Sequence, residues 1–550
     1  MKKLWLTLGL LGGAVLLGGA LLVPAHFRAV DAAVVVRAGQ GGPGASAPTL
    51  VEEGATFLSV EKLGPARMLL LVAQSENVPR LETLAAGVAR FTRDNPSLVA
   101  VGGAATLLEK LDLSSGATAT PKPVIELLTR RAAREKTLQL LQQSRRPGVQ
   151  QILQNRALTN TTHFPSATTS AGQALDAAIL TAALLYQGDH LTASFRDALE
   201  WLALRATRGD DSGSLELVYL DLLSVGRRLD WVSLTEFIKH IDDLSALRDL
   251  AESMRQHEEA VPQIFAAVAM SGNAGGVSKY LSKYPETGLN DLNFALRHGR
   301  GAVELLAKQQ QRVYYGGAFR KTVVGYDPFG AFFYGLTPTA VASRAVALLL
   351  KYVFLLLAAF CLARAIGTIT APLGHRPGLR LAADSVFAVA IAFVVAVAAE
   401  PFLGLPGQAG PLPIRFQLPN LAAAVGLKVQ PLTPEFMNKL SLVSLIVFFS
   451  VQALIYIWCL TKLAQIRREA LPARMKLRLL ENEDHLFDAG LYVGFVGSVL
   501  SLILMSIGVG KISMMAYAST SFGIIFVSVL KIFHVRPLRR QLILESEAQP

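Results

Sequence analysis

Between residues 344 and 534 the chain carries five apolar runs of membrane-spanning length, and no other feature limits its fold as tightly. A helix needs about 20 mostly apolar residues to cross ~30 Å of hydrocarbon. The runs lie at about 345–363, 384–403, 440–461, 487–508 and 512–533. The last two are so close together that they predict a tight helical hairpin. Composition agrees: 52% of residues are hydrophobic and 17% charged, where a soluble protein normally carries ~25% charged residues.

A sixth run opens the chain, MKKLWLTLGLLGGAVLLGGALLVPA. Its Lys2–Lys3 head and the small residues around Val23-Pro24-Ala25 fit a cleaved signal peptide. Its apolar stretch from Leu4 to Val23 exceeds the 7–15 residues usual for one, which favours an uncleaved anchor. Either reading exports the polypeptide beyond residue 25.

The formal net charge of +12 says less than its distribution. Residues 24–343 hold 32 Lys+Arg against 31 Asp+Glu, whereas residues 344–550 hold 19 against 10. A nucleic-acid-binding domain concentrates charge on a polar folded unit. Here the excess flanks apolar spans, so lipid is the expected partner and nucleic acid is excluded. The stretch KLAQIRREALPARMKLR (462–478) has six Lys or Arg in seventeen positions. With the N-terminus inside and residues 26–343 outside, fifteen basic residues flank the spans inside and five outside. That is the positive-inside bias. The expected location is therefore the inner (plasma) membrane, multi-pass, with residues about 26–343 extracytoplasmic and the C-terminus cytoplasmic.

The exported part shows apolar residues at helical spacing, as in ELLTRRAAREKTLQLLQQ (126–143) and SLTEFIKHIDDLSALRDLAESMRQ (233–256), broken by turn-forming segments such as SGNAGG. No sustained period-two alternation appears. The fold class expected is all-α: an N-terminal signal or anchor helix (1–25), a Gly/Ala/Pro linker (26–50), and an extracytoplasmic α-solenoid-like helical domain (51–311). An aromatic membrane-interface segment (312–343), a five-helix transmembrane region (344–534) and a cytoplasmic tail (535–550) complete the chain. The two cysteines, Cys361 and Cys459, both lie in apolar runs, so no disulfide framework holds the exported part. The loop 404–436, with six prolines, reads as an extended lid on the solenoid or on the membrane surface.

Chemistry is sparse. The nine histidines are scattered, and no zinc-binding, calcium-binding or phosphate-loop motif is present. The Ser59-Val-Glu-Lys62 spacing lacks the companion motifs of a serine nucleophile. The acidic run ENEDHLFD (481–488) reads as helix capping and charge balance for the basic stretch before it. No enzyme activity, cofactor or metal is expected.

Two charges fall inside apolar runs, Lys351 and Glu400. They form a candidate intramembrane pair, since ionisable groups at membrane depth are functional candidates by default. The plainer reading places both near the outer interface. The terminal hairpin bears small residues: Gly490, Gly494, Gly497 and Ser498 on its first arm, and Ser519, Thr520 and Gly523 on its second. Small residues let membrane helices approach closely, so this is a helix-packing or oligomer face.

The segments GFVGSVLSLI (494–503) and ASTSFGIIFVSV (518–529) resemble the last two helices of the MotA/TolQ/ExbB proton-channel family. The resemblance covers about 40 of the 550 residues. It implies polar pore positions at Ser498 and Thr520. The cytoplasmic connector is far shorter than that family's, and neither span carries a deep acidic residue. The function expected is a binding or scaffolding component of the cell envelope, partnered by the bilayer and another envelope protein. A homo-oligomer and an ion-conducting or transport subunit are the alternatives.

Overall fold

The computed structural model describes residues 2–41, 47–105, 120–158, 165–166, 169–209, 212–370, 384–385, 387–389, 391–392, 395–396, 399–401, 434–506 and 513–547. The chain is mostly helical and divides into two compact units. One comprises Met1–Ala29 with Gly316–Pro550, and the other Val30–Tyr315.

The Val30–Tyr315 unit is built from capped amphipathic helices. Thr49 and Glu52 form a reciprocal capping box at the start of Leu50–Ser59. Thr192, Asp230 and Asn273 cap Ala193–Thr207, Trp231–Ile238 and Ala274–Lys283. Such caps satisfy backbone N–H groups that the first turn leaves orphaned. Gly272, at φ +62°, ends Val261–Ser271 in the left-handed conformation that glycine adopts without cost. Ser170–Gln187 is buried all round from Ala174 to Tyr186, which makes it a central helix of the unit.

Packing follows chain order. Ser170–Gln187 packs on Ser212–Gly226, that helix on Leu244–Gln256, then Ala274–Lys283, then Arg300–Gln309. Alongside, Trp231–Ile238 packs on Val261–Ser271, and that helix on Gly288–His298. The helix Leu63–Ser75 docks on Trp231–Ile238 and Val261–Ser271.

Residues 26–50 are not a plain linker. Ala32–Gly39 is a helix, begun by the Asp31 carboxylate accepting the Ala33 N–H at 3.0 Å, and it buries Val34, Val35 and Ala38. Its valines find a groove on Gly288–His298 and Arg300–Gln309. The approach requires glycine: a Cβ on Gly301 would lie 2.2 Å from the Ala38 carbonyl oxygen. The strand Ala29–Asp31 pairs with Arg312–Tyr314, so the unit runs from Val30 to Tyr315 rather than from 51 to 311.

In the other unit, Lys2–Leu22 packs lengthwise on Arg344–Thr370. The bare faces of Gly9, Gly13 and Gly19 meet Ala365, Leu362 and Phe354. Pro434–Arg468 packs on Ala489–Ser506 and Ser513–Leu530, which form a closely packed pair. Their shared core includes Tyr456, Leu460, Phe522 and Phe526. Among the described residues, three helices are long and apolar enough to cross a membrane: Arg344–Ala365, Phe448–Arg468 and Ser519–Glu547. Thr7–Leu22 and Ala489–Val499 are shorter apolar helices. The run at 384–403 lies only partly, and the loop at 404–436 almost wholly, outside the described residues. The segment expected as a tail is a helix, Arg536–Glu547, that buries Leu538 and Leu542 against Ala473–Asn482.

Candidate functional site

Lys351 stands about two turns into Arg344–Thr370, and its buried ammonium is fully engaged. It donates to the Ala25 carbonyl at 2.8 Å and to Glu400 Oε1 at 2.5 Å, and lies 3.2 Å from His26 Nδ1. The Glu400 carboxylate also accepts the Phe27 N–H at 2.6 Å and the Tyr352 hydroxyl at 3.2 Å. Arg344 donates to the carbonyls of His26 and Phe27, and Arg320 Nη1 lies 3.1 Å from His26 Nε2. Lys351 and Glu400 are 4% and 8% exposed. A buried charge is tolerated when it is paired and its remaining hydrogen-bonding capacity is used, and this pair meets both conditions. The chain leaving the N-terminal helix is thereby fastened at three consecutive residues, Ala25, His26 and Phe27.

The terminal hairpin brings its small residues face to face. A Cβ on Gly494 would lie 2.8 Å from the Ser519 carbonyl oxygen and 3.3 Å from Gly523 Cα. One on Gly497 would meet the Ser519 hydroxyl. The Ser498 and Thr520 hydroxyls are 2.5 Å apart, and both can donate to the Gly494 carbonyl, at 3.2 and 3.4 Å. Gln452, buried on Pro434–Arg468, donates to the Gly490 carbonyl at 2.9 Å. Among the described residues nothing donates to its Oε1. The hydroxyls are thus spent on each other and on backbone, in an interface with room for hydrogens and little else.

Further along these helices, the Tyr456 hydroxyl lies 3.2 Å from His534 Nε2. Lys531 pairs with Asp488 at 2.7 Å and Asp484 at 3.4 Å, and Arg539 with Glu481 at 2.9 Å. Among the described residues the ion pairs of the acidic run 481–488 are thus with Lys531 and Arg539, and not with the basic stretch before it. Among the described residues no three His, Cys, Asp or Glu side chains converge as a metal site would require.

The Val30–Tyr315 unit has its own buried carboxylates. Asp230 accepts both the backbone N–H and the hydroxyl of Ser233 at 2.8 Å. Burial pushes its carboxyl up to about 6 despite those hydrogen bonds. Burial would also raise Glu236, but the His240 ring 3.8 Å away and the paired ammoniums of Lys239 and Lys62 hold it at about 2. Lys62 reaches Glu236 at 2.8 Å, which ties the start of Leu63–Ser75 to Trp231–Ile238. That ion pair is the role the structure gives Lys62, while Ser59 donates to the Thr56 carbonyl.

Sequence reasoning passed over His26, Arg344, Tyr352 and Gln452. His26 looks unremarkable beside an apolar run. Gln452 carries no charge, and a scan for uncharged amides inside apolar spans would have found it.

No family model, curated protein or solved structure matches the chain.

Proposed function

We propose that this protein is a multi-pass component of the bacterial inner membrane that presents a helical, solenoid-like extracytoplasmic domain as a binding or scaffolding surface for another envelope protein. The observation that carries the reading is the serial packing from Ser170–Gln187 through Ser212–Gly226, Leu244–Gln256 and Ala274–Lys283 to Arg300–Gln309. Helices stacked each on the next bury their apolar stripes against neighbours and leave extended faces free. Large apolar side chains stand exposed on one helix of that series and on a helix packed against it: Leu217 and Leu220 on Ser212–Gly226, and Trp201 and Leu204 on Ala193–Thr207. In this reading the five apolar runs and the N-terminal helix anchor the domain. Tyr326, at the N-cap of Asp327–Ala342, and Phe329, Phe332 and Tyr334, exposed on that helix, form its interfacial aromatic belt.

The test is native mass spectrometry of the full chain purified in mild detergent, paired with photo-crosslinking from position 201. A defined envelope protein captured from position 201, and lost on Leu217→Glu, supports the reading. A homo-oligomeric ring with no crosslink at position 201 sinks it.

A second reading is an ion-conducting subunit similar to the MotA/TolQ/ExbB proteins. It draws on the Ser498–Thr520 hydroxyl contact and on Gln452 Oε1, which accepts nothing among the described residues. The ring outcome would favour it. Hydroxyls already spent within the hairpin favour packing instead.

A further inference from the structure

We infer that the paired helices Ala473–Asn482 and Arg536–Glu547 form a docking surface for the headgroups of anionic phospholipids. Ala473, Leu480, Leu538 and Leu542 are buried where the two helices pack. The opposite face of the first helix carries Arg474, Met475 and Arg478, all exposed. The second exposes Arg536, Arg540, Ile543 and Leu544. Arg468, also exposed, ends the helix that leads into the pair.

These five arginines are separated from the other local cations by what they touch. Arg539 is paired with Glu481, Lys531 with Asp484 and Asp488, and Lys476 donates to the Arg467 carbonyl. Among the described residues, the side chains of Arg468, Arg474, Arg478, Arg536 and Arg540 make neither an ion pair nor a hydrogen bond. The acids around them, Glu469 beside Arg468, Glu481 paired with Arg539, Glu483, and Glu545 acting on Arg467, form no ion pair with these five among the described residues. A planar guanidinium suits phosphate, which it can grip through two parallel N–H donors.

Continuity with apolar helices selects the source of that phosphate. Phe448–Arg468 is long and apolar enough to cross a bilayer and ends at Arg468. The second such helix, Ser519–Glu547, contains Arg536 and Arg540. A helix that leaves hydrocarbon at an arginine meets headgroups there. Met475 and Leu544, 55% and 60% exposed, suit the acyl boundary beneath the headgroups. A nucleic acid would leave such side chains in water.

The experiment uses the full chain, exchanged in detergent into an equimolar mixture of phosphatidylcholine and phosphatidylglycerol. Retained lipids are counted by native mass spectrometry. The expected result is enrichment of the anionic lipid on the wild type. Enrichment should fall at least roughly tenfold in the quadruple variant Arg474→Gln, Arg478→Gln, Arg536→Gln, Arg540→Gln, since each basic residue at an anionic surface contributes roughly fivefold (about 1 kcal/mol). Arg474→Gln with Arg478→Gln, and Arg536→Gln with Arg540→Gln, tested as separate pairs, should each lose part of it. The pairs keep the test valid if the quadruple variant unfolds. Arg90→Gln with Arg227→Gln, on exposed arginines of the Val30–Tyr315 unit, should change nothing. Equal retention of the two lipids by the wild type overturns the inference. So does undiminished enrichment in both pairs, or displacement of the anionic lipid by an RNA oligomer.

Discussion

Gly523 lies so close to Gly490 across the terminal hairpin that a Cβ on Gly523 would sit 2.6 Å from the Gly490 carbonyl oxygen. Backbone cannot yield as the tip of a side chain can, so the two helices would have to part. Gly523→Ala is expected to lower stability by ~1–3 kcal/mol, the range for overpacking a well-packed contact. Gly12, with nothing within 4 Å of its added Cβ, should tolerate alanine or gain from it. Thermal unfolding of the two variants in detergent should shift in opposite directions or for Gly523 alone. Equal shifts would show that the close approach does not limit the hairpin.

Lys351 and Glu400 offer a sharper contrast between single and double substitution. Lys351→Met leaves a buried carboxylate uncompensated, which typically costs about 3–5 kcal/mol. Combining it with Glu400→Gln removes the orphaned charge, and most of the loss should be recovered. A double variant no more stable than the single one would mean that the Lys351 ammonium matters for its bond to Ala25 rather than for its charge.

The same cluster bears on processing of the N-terminus. Cleavage after Ala25 would take away the carbonyl that Lys351 binds and the helix that packs along Arg344–Thr370. The intact mass of the purified protein is expected to include residues 1–25. A mass shorter by that segment would show that the packing of Lys2–Leu22 is not retained.

Acid–base behaviour of the Val30–Tyr315 unit should show two opposed slopes. Asp230, raised from 3.8 to about 6 in the fold, binds a proton more readily folded than unfolded. Its contribution is present below pH ~4 and is lost as pH rises through about 6, a change of order 2–3 kcal/mol at ~1.4 kcal/mol per unit. Glu236, lowered from 4.5 to about 2, contributes above pH ~4.5 and loses that contribution as pH falls towards 2. Local stability of Trp231–Ile238, read by hydrogen exchange in the full chain, should therefore peak between the two unperturbed values of 3.8 and 4.5, falling as pH drops towards 2 and as it rises towards 6. Asp230→Asn keeps a competent helix cap and should flatten the upper slope only. An unchanged slope would remove Asp230 from the account.

Much of the architecture was legible because its causes are local. Helical periodicity, turn residues and caps such as Thr192 and Asp230 act within a few positions of each other, and apolar length marks a candidate span directly. Lys351 and Glu400 stand out in sequence because an apolar background makes any charge visible. His26 and Gln452 were not legible, because their importance comes from long-range partners: Lys351, 325 positions away, and Gly490, 38 positions away. The helix Ala32–Gly39 was hidden by its composition. Small residues next to glycines and prolines read as linker until the groove that buries Val34 and Val35 is known. Spacing can suggest that the hairpin packs tightly, but only the contact of Ser498 with Thr520 reveals that their hydroxyls are already spent.

The pairing of Ala29–Asp31 with Arg312–Tyr314 makes the intervening polypeptide an excisable cassette. Paired strands lie about 5 Å apart, so the two cut ends left by removing residues 32–311 would stand within reach of a bridge of very few residues. A deletion joined in that way asks the remaining chain for almost no closure entropy. The same adjacency lets a foreign domain whose ends lie close together be spliced into the gap without stretching the polypeptide on either side.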